Sequence, residues 1–263
     1  MAQVTSKDGA TIGYTSNGIG PLVVMVNGAV GYREYYGGKE LATRLAENFT
    51  TIIYDRRGRG ESTDRLPYAV EREIEDIEAL IDANGGKAYL YGESSGAALA
   101  LKAAAQLGGK VAKVAMYEPP YGLGDEAKEG HLKATQQLKE FLAADKRDEA
   151  VGVFMTNFMP REAVAEFKKT NAKDWEVMVA VAPTLVYDYI LMDDAQPQVD
   201  EVKALDIPVL VMNGSQGIPG LTEACEVLAK ASPNNVRHKV LEGQAHEPTA
   251  DVLAPELTAF FQA

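Results

Sequence analysis

Residues 88–107 read AYLYGESSGAALALKAAAQL, and this stretch decides the fold. The short apolar run Ala88–Tyr91 is typical of a strand, and the alanine-rich run Ala97–Leu107 is typical of a helix. Between them lies the pentapeptide GESSG, at residues 92–96. A Gly-x-Ser-x-Gly motif at a strand-to-helix turn holds the serine hydroxyl at the carboxyl edge of a sheet. Ser94 is therefore predicted to be a nucleophile.

The glycines on either side of that serine are expected to have a steric role. A side chain at Gly92 or Gly96 would collide with neighbouring backbone in so sharp a turn. The helix that follows also presents free N–H groups and the positive end of its dipole to a developing oxyanion. The alternative interpretation is a glycine-rich turn that contains a serine by chance.

Short apolar runs and amphipathic stretches alternate on both sides of this elbow. The other predicted strands are Ala10–Thr15, Leu22–Val26, Thr51–Tyr54, Val111–Tyr117, Pro208–Met212 and Val236–Leu241. The other predicted helices of the alternating part are Ala69–Ala83, Leu221–Ala231 and Val252–Phe261. Alternation of this kind, with strands that are apolar throughout, predicts an α/β fold with a mostly parallel sheet covered by helices on both faces.

One stretch, residues 121–200, interrupts the alternation with helical patterns alone. These patterns cover Lys133–Leu142, Asp148–Phe158, Arg161–Lys169 and Trp175–Ile190. A connection of this length is too long for a simple loop. We therefore expect a helical cap over residues 121–200, inserted in a core domain formed by residues 1–120 and 201–263.

The composition excludes several classes of function. The chain has 263 residues and a formal net charge of −12, which argues against a nucleic-acid partner. One cysteine and three histidines exclude a disulfide framework and multi-thiolate or multi-histidine metal sites. The apolar runs have strand length and the start of the chain lacks a secretion signal, so we expect a cytoplasmic protein that does not span a membrane. The expected partner is a small molecule, and the oligomeric state is left open.

A serine nucleophile needs a general base, and His246 is the candidate. It lies in the polar loop of residues 243–248, between the last predicted strand and the last helix. That position brings its side chain to the same carboxyl edge as Ser94. The other two histidines are interpreted as structural, because His238 falls within a strand and His131 opens a helix of the cap.

The base in turn needs a carboxylate to orient it, and the chain order in this arrangement is Ser, acid, His. The usual place for that acid is the loop after Pro208–Met212, but residues 213–219 contain no carboxylate. Glu118 follows the strand Val111–Tyr117, faces the same edge and is the predicted acid. The alternatives are that Glu118 only caps the strand end or pairs with an arginine of residues 56–59, or that a Ser-His dyad acts without an acid. Weaker substitutes in the cap are Asp125, Asp188, Asp193 and Asp194.

Over almost its whole length the chain resembles the α/β-hydrolase superfamily. Residues 55–62, DRRGRGES, match the family's Asp-x-Arg-Gly-x-Gly-x-Ser loop, and Asn27-Gly28-Ala29 stands where the family commonly has His-Gly-x. The chain departs from the family in Asn27 and in the missing acid after Met212. Some members carry the acid one strand earlier, as lactone-cleaving mycoestrogen hydrolases do with a glutamate, and Glu118 matches that placement.

The resemblance implies roles for further residues. The oxyanion would be held by the backbone N–H groups of Ala29 and Ser95, and no cofactor or metal is needed. The arginines of the DRRGRGES segment would form a structural loop rather than a phosphate site. Independently of the resemblance, Glu93 is expected to hydrogen-bond below the turn or to tune the histidine, because it stands beside the nucleophile.

The expected reaction is hydrolysis of a carboxylic ester or lactone of a small, largely apolar substrate through an acyl-enzyme. Met and aromatic side chains favour an apolar, adaptable pocket, and the candidates to line it are Tyr32, Trp175, Met178 and Tyr187. Carbon–carbon bond hydrolysis or a cofactor-free lyase reaction would use the same residues. A non-hydrolytic binder that has kept only the pocket is the alternative outside catalysis.

Overall fold

A single mixed sheet organises the protein. The computed structural model describes residues 2–36 and 38–263. Its eight strands are β1 (Ala2–Thr5), β2 (Thr11–Asn17), β3 (Leu22–Val26), β4 (Thr50–Tyr54), β5 (Ala88–Glu93), β6 (Val111–Tyr117), β7 (Val209–Gly214) and β8 (Val236–Leu241). They pair in the order β1-β2-β4-β3-β5-β6-β7-β8, antiparallel for β1 with β2 and β2 with β4, and parallel elsewhere. The predicted mostly parallel α/β sheet is confirmed.

Eleven α-helices occupy the described residues. They are α1 (Lys39–Leu45), α2 (Val70–Ala83), α3 (Ser95–Leu107), α4 (Gly124–Ala143), α5 (Arg147–Met155), α6 (Arg161–Thr170), α7 (Ala172–Val181), α8 (Leu185–Leu191), α9 (Val199–Lys203), α10 (Leu221–Ala231) and α11 (Ala250–Gln262). None of the helices in this part of the chain combines the length and the apolar character needed to cross a lipid bilayer.

The central strand β3 shows why the sheet is covered on both sides. All five of its residues are buried, and successive side chains point to opposite faces. Leu22, Val24 and Val26 join an apolar cluster that contains residues of α2, α3 and α10, whereas Val23 and Met25 join a second cluster with residues of α1 and α11. Each face of the sheet therefore buries its own core.

Helices α4–α9, which we call the inserted helices, lie in the chain between β6 and β7. They contribute most of a third apolar cluster, which includes Leu138, Phe154, Trp175 and Leu185. Val30, from the loop after β3, belongs to this same cluster. The inserted helices thus pack against a loop at the carboxyl edge of the sheet, where the predicted nucleophile also lies. That they form a cap separate from a core domain remains a prediction.

The structure adds short elements and divides one long helix. β1, α1 and α9 have no strong sequence signal: the two helices, of seven and five residues, are too short to show a helical period, and β1 (AQVT) is not an apolar run. The predicted helix Trp175–Ile190 is two helices, α7 and α8, separated by a 3-10 turn at Ala182–Thr184. Pro183 lies in this turn, and a proline in a helix interior removes a backbone hydrogen bond and clashes with the preceding turn.

Candidate active site

Ser94 lies at a strained turn between β5 and α3. Its backbone has a φ of 52° and a ψ of −131°, a conformation that residues with a side chain rarely adopt. A Cβ on Gly92 would approach the Gly96 carbonyl oxygen to 2.2 Å, and one on Gly96 would approach the Val26 carbonyl oxygen to 2.2 Å. The turn therefore requires glycine at both positions, as expected from the sequence. The Ser94 N–H donates to the Tyr117 carbonyl at 2.9 Å, which ties the turn to β6.

His246 and Glu118 form a short hydrogen bond at the same edge of the sheet. The Nδ1 atom of His246 lies 2.6 Å from Oε2 of Glu118, which is 1% exposed. A carboxylate can only accept, so Nδ1 carries the proton and Nε2 is left with a free lone pair. The other oxygen, Oε1, accepts the Gly214 N–H at 2.9 Å. The carboxylate is thereby fixed on one side by the backbone of β7 and on the other by the imidazole.

The backbone around this pair is arranged to hold it. Glu118 has a positive φ of 41°, directly after the last residue of β6. The loop that carries His246 is anchored to the same strand, because the Tyr117 hydroxyl donates to the Ala245 carbonyl at 2.5 Å. The acid and the base therefore depend on two consecutive residues at the end of β6.

Gly217, in the loop after β7, lies against the carboxylate of Glu118. A Cβ at this position would come within 1.8 Å of Glu118 Oε1. The carboxylate of Glu118 thus fills the space next to the loop in which the family usually places its acid, and the loop needs a residue without a side chain there. The sequence contains this glycine, but its role becomes visible only because β6 and β7 are adjacent in the sheet.

Two cavities meet at Ser94 and His246, and each has a volume of about 280 Å³. Both are lined by Ala29, Ser94, Phe154, Phe158 and His246. The first extends towards Tyr121, His131, Asn157, Tyr189 and Leu221. The second extends towards Tyr35, Tyr36, Met155, Met159, Phe167 and Met178. A reacting group at Ser94 would therefore have room on both sides.

The four residues predicted to line a substrate pocket lie in different places. Met178 lines the second cavity. Trp175 is buried in the cluster of the inserted helices and donates from Nε1 to Asp148 at 2.8 Å. Tyr187 stacks on Tyr68 with ring centroids 3.9 Å apart and donates to Asp64 at 2.6 Å. Tyr32 exchanges two backbone hydrogen bonds with Tyr35. Among the described residues, only Met178 of these four borders either cavity.

Phe158 and His131 are among the cavity residues that the sequence did not predict to be there. Phe158 is 44% exposed, and its ring centroid lies 5.9 Å from that of His246. The predicted helix Asp148–Phe158 ends at Met155 in the structure, so Phe158 lies just beyond α5, where helical periodicity does not give the direction of its side chain. His131, which the sequence analysis interpreted as structural, stacks on Tyr189 and lines the first cavity. Burial lowers the pKa of His131, which favours a neutral imidazole.

The two predicted oxyanion donors lie beside the nucleophile. Ser95 is the first residue of α3, where backbone N–H groups have no partner within the helix. Ala29 lines both cavities, and the loop that carries it approaches Ser94 so closely that a Cβ on Gly28 would lie 3.0 Å from Ser94 Cβ. Val30, the next residue, has a φ of 57°, which is unfavourable for a β-branched side chain. The strained conformation at Val30 therefore persists only where contacts with neighbouring residues hold this loop next to Ser94.

The aspartates considered as substitute acids have other partners in the structure. Asp188 is bound by Arg56 and Arg59, Asp193 pairs with Lys102, and Asp194 pairs with Lys128. Asp125 is an exposed residue in the first turn of α4. The arginines predicted to form a structural loop are buried and paired, and Glu118 is not among their partners in the described residues.

Glu93, beside the nucleophile, borders the second cavity together with His246 and Glu247. Its carboxyl lies 3.4 Å from the Tyr91 hydroxyl, which donates to it. Burial raises the pKa of Glu93 to about 7, the nearby Glu247 acts in the same direction, and His246 acts against it. This carboxyl is therefore protonated over much of the acidic range.

Comparisons with known proteins agree with this architecture. A profile of the alpha/beta hydrolase family matches residues 23–258. An alpha/beta hydrolase from Sphaerobacter thermophilus is 42% identical, with 99% of this chain and 100% of that chain covered and a TM-score of 0.87. A thermophilic esterase from Thermogutta terrifontis is 21% identical, covers 99% of this chain and 97% of its own, and has a TM-score of 0.77. The uncharacterized hydrolase YraK of Bacillus subtilis is 31% identical over 147 residues. That match spans 54% of this chain and only 53%, about half, of the Bacillus protein.

Proposed function

The chain belongs to the alpha/beta hydrolase family, and from this premise we propose that it is a serine hydrolase that cleaves a carboxylic ester or lactone of a small, largely apolar substrate. Ser94 is the nucleophile, His246 the general base and Glu118 the acid that orients the base. The N–H groups of Ala29 and Ser95 form the oxyanion hole. The oxygen of the substrate carbonyl would bind between them while the two cavities receive the acyl and leaving groups.

The proposed reaction has two halves. Ser94 Oγ attacks the acyl carbon as Nε2 of His246 takes its proton, and the imidazolium then protonates the departing alkoxide. Water hydrolyses the resulting ester of Ser94 by the same route. Glu118 keeps the proton of the neutral imidazole on Nδ1 and stabilises the imidazolium. Each oxyanion donor contributes about 3 kcal/mol to transition-state stabilisation. The sequence of steps is complete with these side chains and one water molecule.

The observation that carries the proposal is the 2.6 Å contact between His246 Nδ1 and Glu118 Oε2. It selects the tautomer that leaves Nε2 free to accept a proton, and His246 borders the same cavities as Ser94. A pocket that only binds would not need a buried carboxylate behind a histidine. The contact therefore favours turnover over simple binding.

The cavity linings support a neutral and largely apolar substrate. Phe154, Phe158 and several methionines surround the second cavity, and thioether side chains adapt to ligands of different shape. No lysine or arginine is among the described residues that line either cavity, whereas Glu93 and Glu247 border the second. A substrate with a free carboxylate or phosphate would therefore find no lysine or arginine in the described lining to compensate its charge. A cytoplasmic location remains a prediction from the sequence.

The test combines covalent labelling with turnover. A fluorophosphonate should label the wild-type protein, and p-nitrophenyl esters of short acids should be hydrolysed at rates well above background. Ser94→Ala should abolish both signals, because it removes the attacking oxygen. Ser16→Ala, which changes an exposed serine on β2, is the matched control and should retain both. Labelling or turnover that persists in Ser94→Ala would refute the proposal.

A further inference from the structure

A buried group of four charged residues lies beside the site and has no part in the mechanism above. We call Arg56, Arg59, Glu73 and Asp188 the ionic cluster. Each side chain is at most 2% exposed, and their formal charges balance. Arg56 forms a bidentate pair with Glu73, through Nε and Nη2 at 2.7 Å each. Asp188 of α8 accepts from Arg56 at 2.5 Å and from Arg59 at 2.6 Å.

Arg59 reaches the peptide that carries one proposed oxyanion donor. Its Nη1 atom donates to the Gly28 carbonyl oxygen at 2.7 Å and to that of Gly31 at 3.2 Å. The Gly28 carbonyl and the Ala29 N–H belong to a single peptide plane and point in opposite directions when that peptide is trans. A cation that fixes the carbonyl therefore fixes the direction of the N–H. It also polarises the amide, which makes the N–H a stronger donor.

Asp188 reaches the second donor. Its Oδ1 atom accepts a hydrogen bond from the Ser95 hydroxyl at 2.7 Å, and Ser95 supplies the other N–H of the proposed oxyanion hole. Asp188 Oδ2 holds Arg59 at the same time. One carboxylate on an inserted helix is thus tied both to the elbow after β5 and, through Arg59, to the loop after β3.

We propose that Asp188 and Arg59 are positioning residues that set the two oxyanion donors, Ser95 N–H and Ala29 N–H, in their working directions. This role rests on the proposed hydrolase function. It makes the oxyanion hole dependent on the docking of α8 against the sheet edge. Neither side chain contacts the reacting atoms, and each acts through a residue that does.

The ionic cluster is better suited to fixing the direction of hydrogen bonds than to stabilising the fold. A buried ion pair gains little net stability over well-packed apolar side chains, because desolvation offsets most of the attraction. Charge-assisted hydrogen bonds with fixed partners do, however, restrict direction. The strained Val30 adjoins the peptide held by Arg59, so the loop needs such an anchor to keep its conformation.

The test uses a substrate pair that reports on the oxyanion hole alone. An oxygen ester and its thionoester differ only in the atom that the hole must bind, and sulfur is the weaker hydrogen-bond acceptor. The quantity to measure in the full-length protein is kcat/KM for the oxygen ester divided by kcat/KM for the thionoester. Loss of a whole donor costs a factor of about 10² to 10³ in kcat, so a displaced donor should lower this ratio about tenfold.

Two variants and one control address the two contacts. Ser95→Ala removes the hydroxyl bound to Asp188 but keeps the backbone N–H and every arginine pair. Asp188→Asn removes the charge that holds Arg59. Asp193→Asn is the matched control, because Asp193 follows the same helix and pairs with Lys102 outside the cluster. We expect the ratio to fall about tenfold in Ser95→Ala and further in Asp188→Asn, and to stay at the wild-type value in the control.

The outcomes separate the two proposals. A wild-type protein without esterase activity or fluorophosphonate labelling would overturn the proposed function, and this role with it. An active wild type with an unchanged ratio in the variants would overturn the positioning role alone. If Asp188→Asn fails to fold, Ser95→Ala decides by itself. An equal loss for both substrates is a structural effect and would also overturn the role.

Discussion

Two buried carboxylates flank the proposed nucleophile, and their partners differ. Glu118, at the end of β6, and Asp188, in α8, are each 1% exposed. Glu118 has a backbone N–H and a histidine as partners. Asp188 has two arginines and a serine hydroxyl. Burial alone raises the pKa of Asp188, but Arg56 and Arg59 outweigh burial and hold that pKa below its ordinary value.

The difference shows two ways in which a protein can compensate a buried negative charge. Permanent cations neutralise Asp188 at every accessible pH, so its contacts are fixed and suit the maintenance of geometry. Glu118 faces the imidazole that, in the proposed mechanism, takes a proton from Ser94 and passes it on, so its contact suits a group that gains and loses a proton. The two carboxylates are thus equally buried, but Asp188 is paired with arginines and Glu118 with a histidine.

The first way to test this contrast is Glu118→Gln. A glutamine amide keeps the acceptor for the Gly214 N–H but donates towards His246, which forces the imidazole into the wrong tautomer. We expect kcat to fall by about 10⁴ and the free energy of unfolding to change by about 1 kcal/mol. Ester turnover and urea unfolding measure the two effects. A near-normal kcat would remove Glu118 from the proposed triad.

The second test makes the converse change at Asp188. Asp188→Asn leaves two buried arginines without their full partner, which should lower the free energy of unfolding by about 3 kcal/mol or more. Asp193→Asn, which breaks a pair whose acid is 59% exposed, should change it by less than about 1 kcal/mol. Urea midpoints at unchanged slope give both values. Equal losses in the two variants would mean that burial of the pair has no bearing on its strength.

Glu93 sharpens the contrast, because its carboxyl, among the described residues, accepts a hydrogen bond from the Tyr91 hydroxyl and not from an arginine or an imidazole. Its pKa of about 7 in the folded protein exceeds the ordinary value of 4.5, so the folded state binds more protons between these two pH values. Stability therefore decreases as the pH rises through this window, by at most about 3 kcal/mol. Glu93→Gln should flatten the decrease. Thermal or urea unfolding between pH 4.5 and 7.5 measures it, and an unchanged pH dependence in the variant would contradict this interpretation.

The sequence was sufficient where a local motif has a steric reason. The GESSG motif between a strand and a helix identified the elbow, because both glycines are required by backbone contacts. The strands Leu22–Val26, Val111–Tyr117 and Val236–Leu241 were predicted with the bounds that the structure gives them. A glycine or proline stands two residues after each of these strands, so the local sequence marks where they end.

The sequence was insufficient where long-range contacts decide. Glu118 was selected by elimination, and the geometric reason, the space left by Gly217, is visible only once β6 and β7 are adjacent. The roles of Trp175 and Tyr187 depend on which face of each helix turns inwards. Both side chains contact residues that are distant in the sequence. Trp175 binds Asp148, and Tyr187 contacts Asp64 and Tyr68. Periodicity marks an apolar face but does not say what covers it.

The separation of the site residues along the chain has a consequence for biosynthesis. Ser95 and Asp188 are 93 residues apart, and Glu118 and His246 are 128 residues apart. A ribosome releases the elbow first and the histidine last, and domains fold as their parts emerge. Under the proposed mechanism, a nascent chain or a prematurely terminated one carries the serine without its base or its oxyanion anchor. The proposed site would then become reactive only after residue 246 has left the ribosome and joined the elbow.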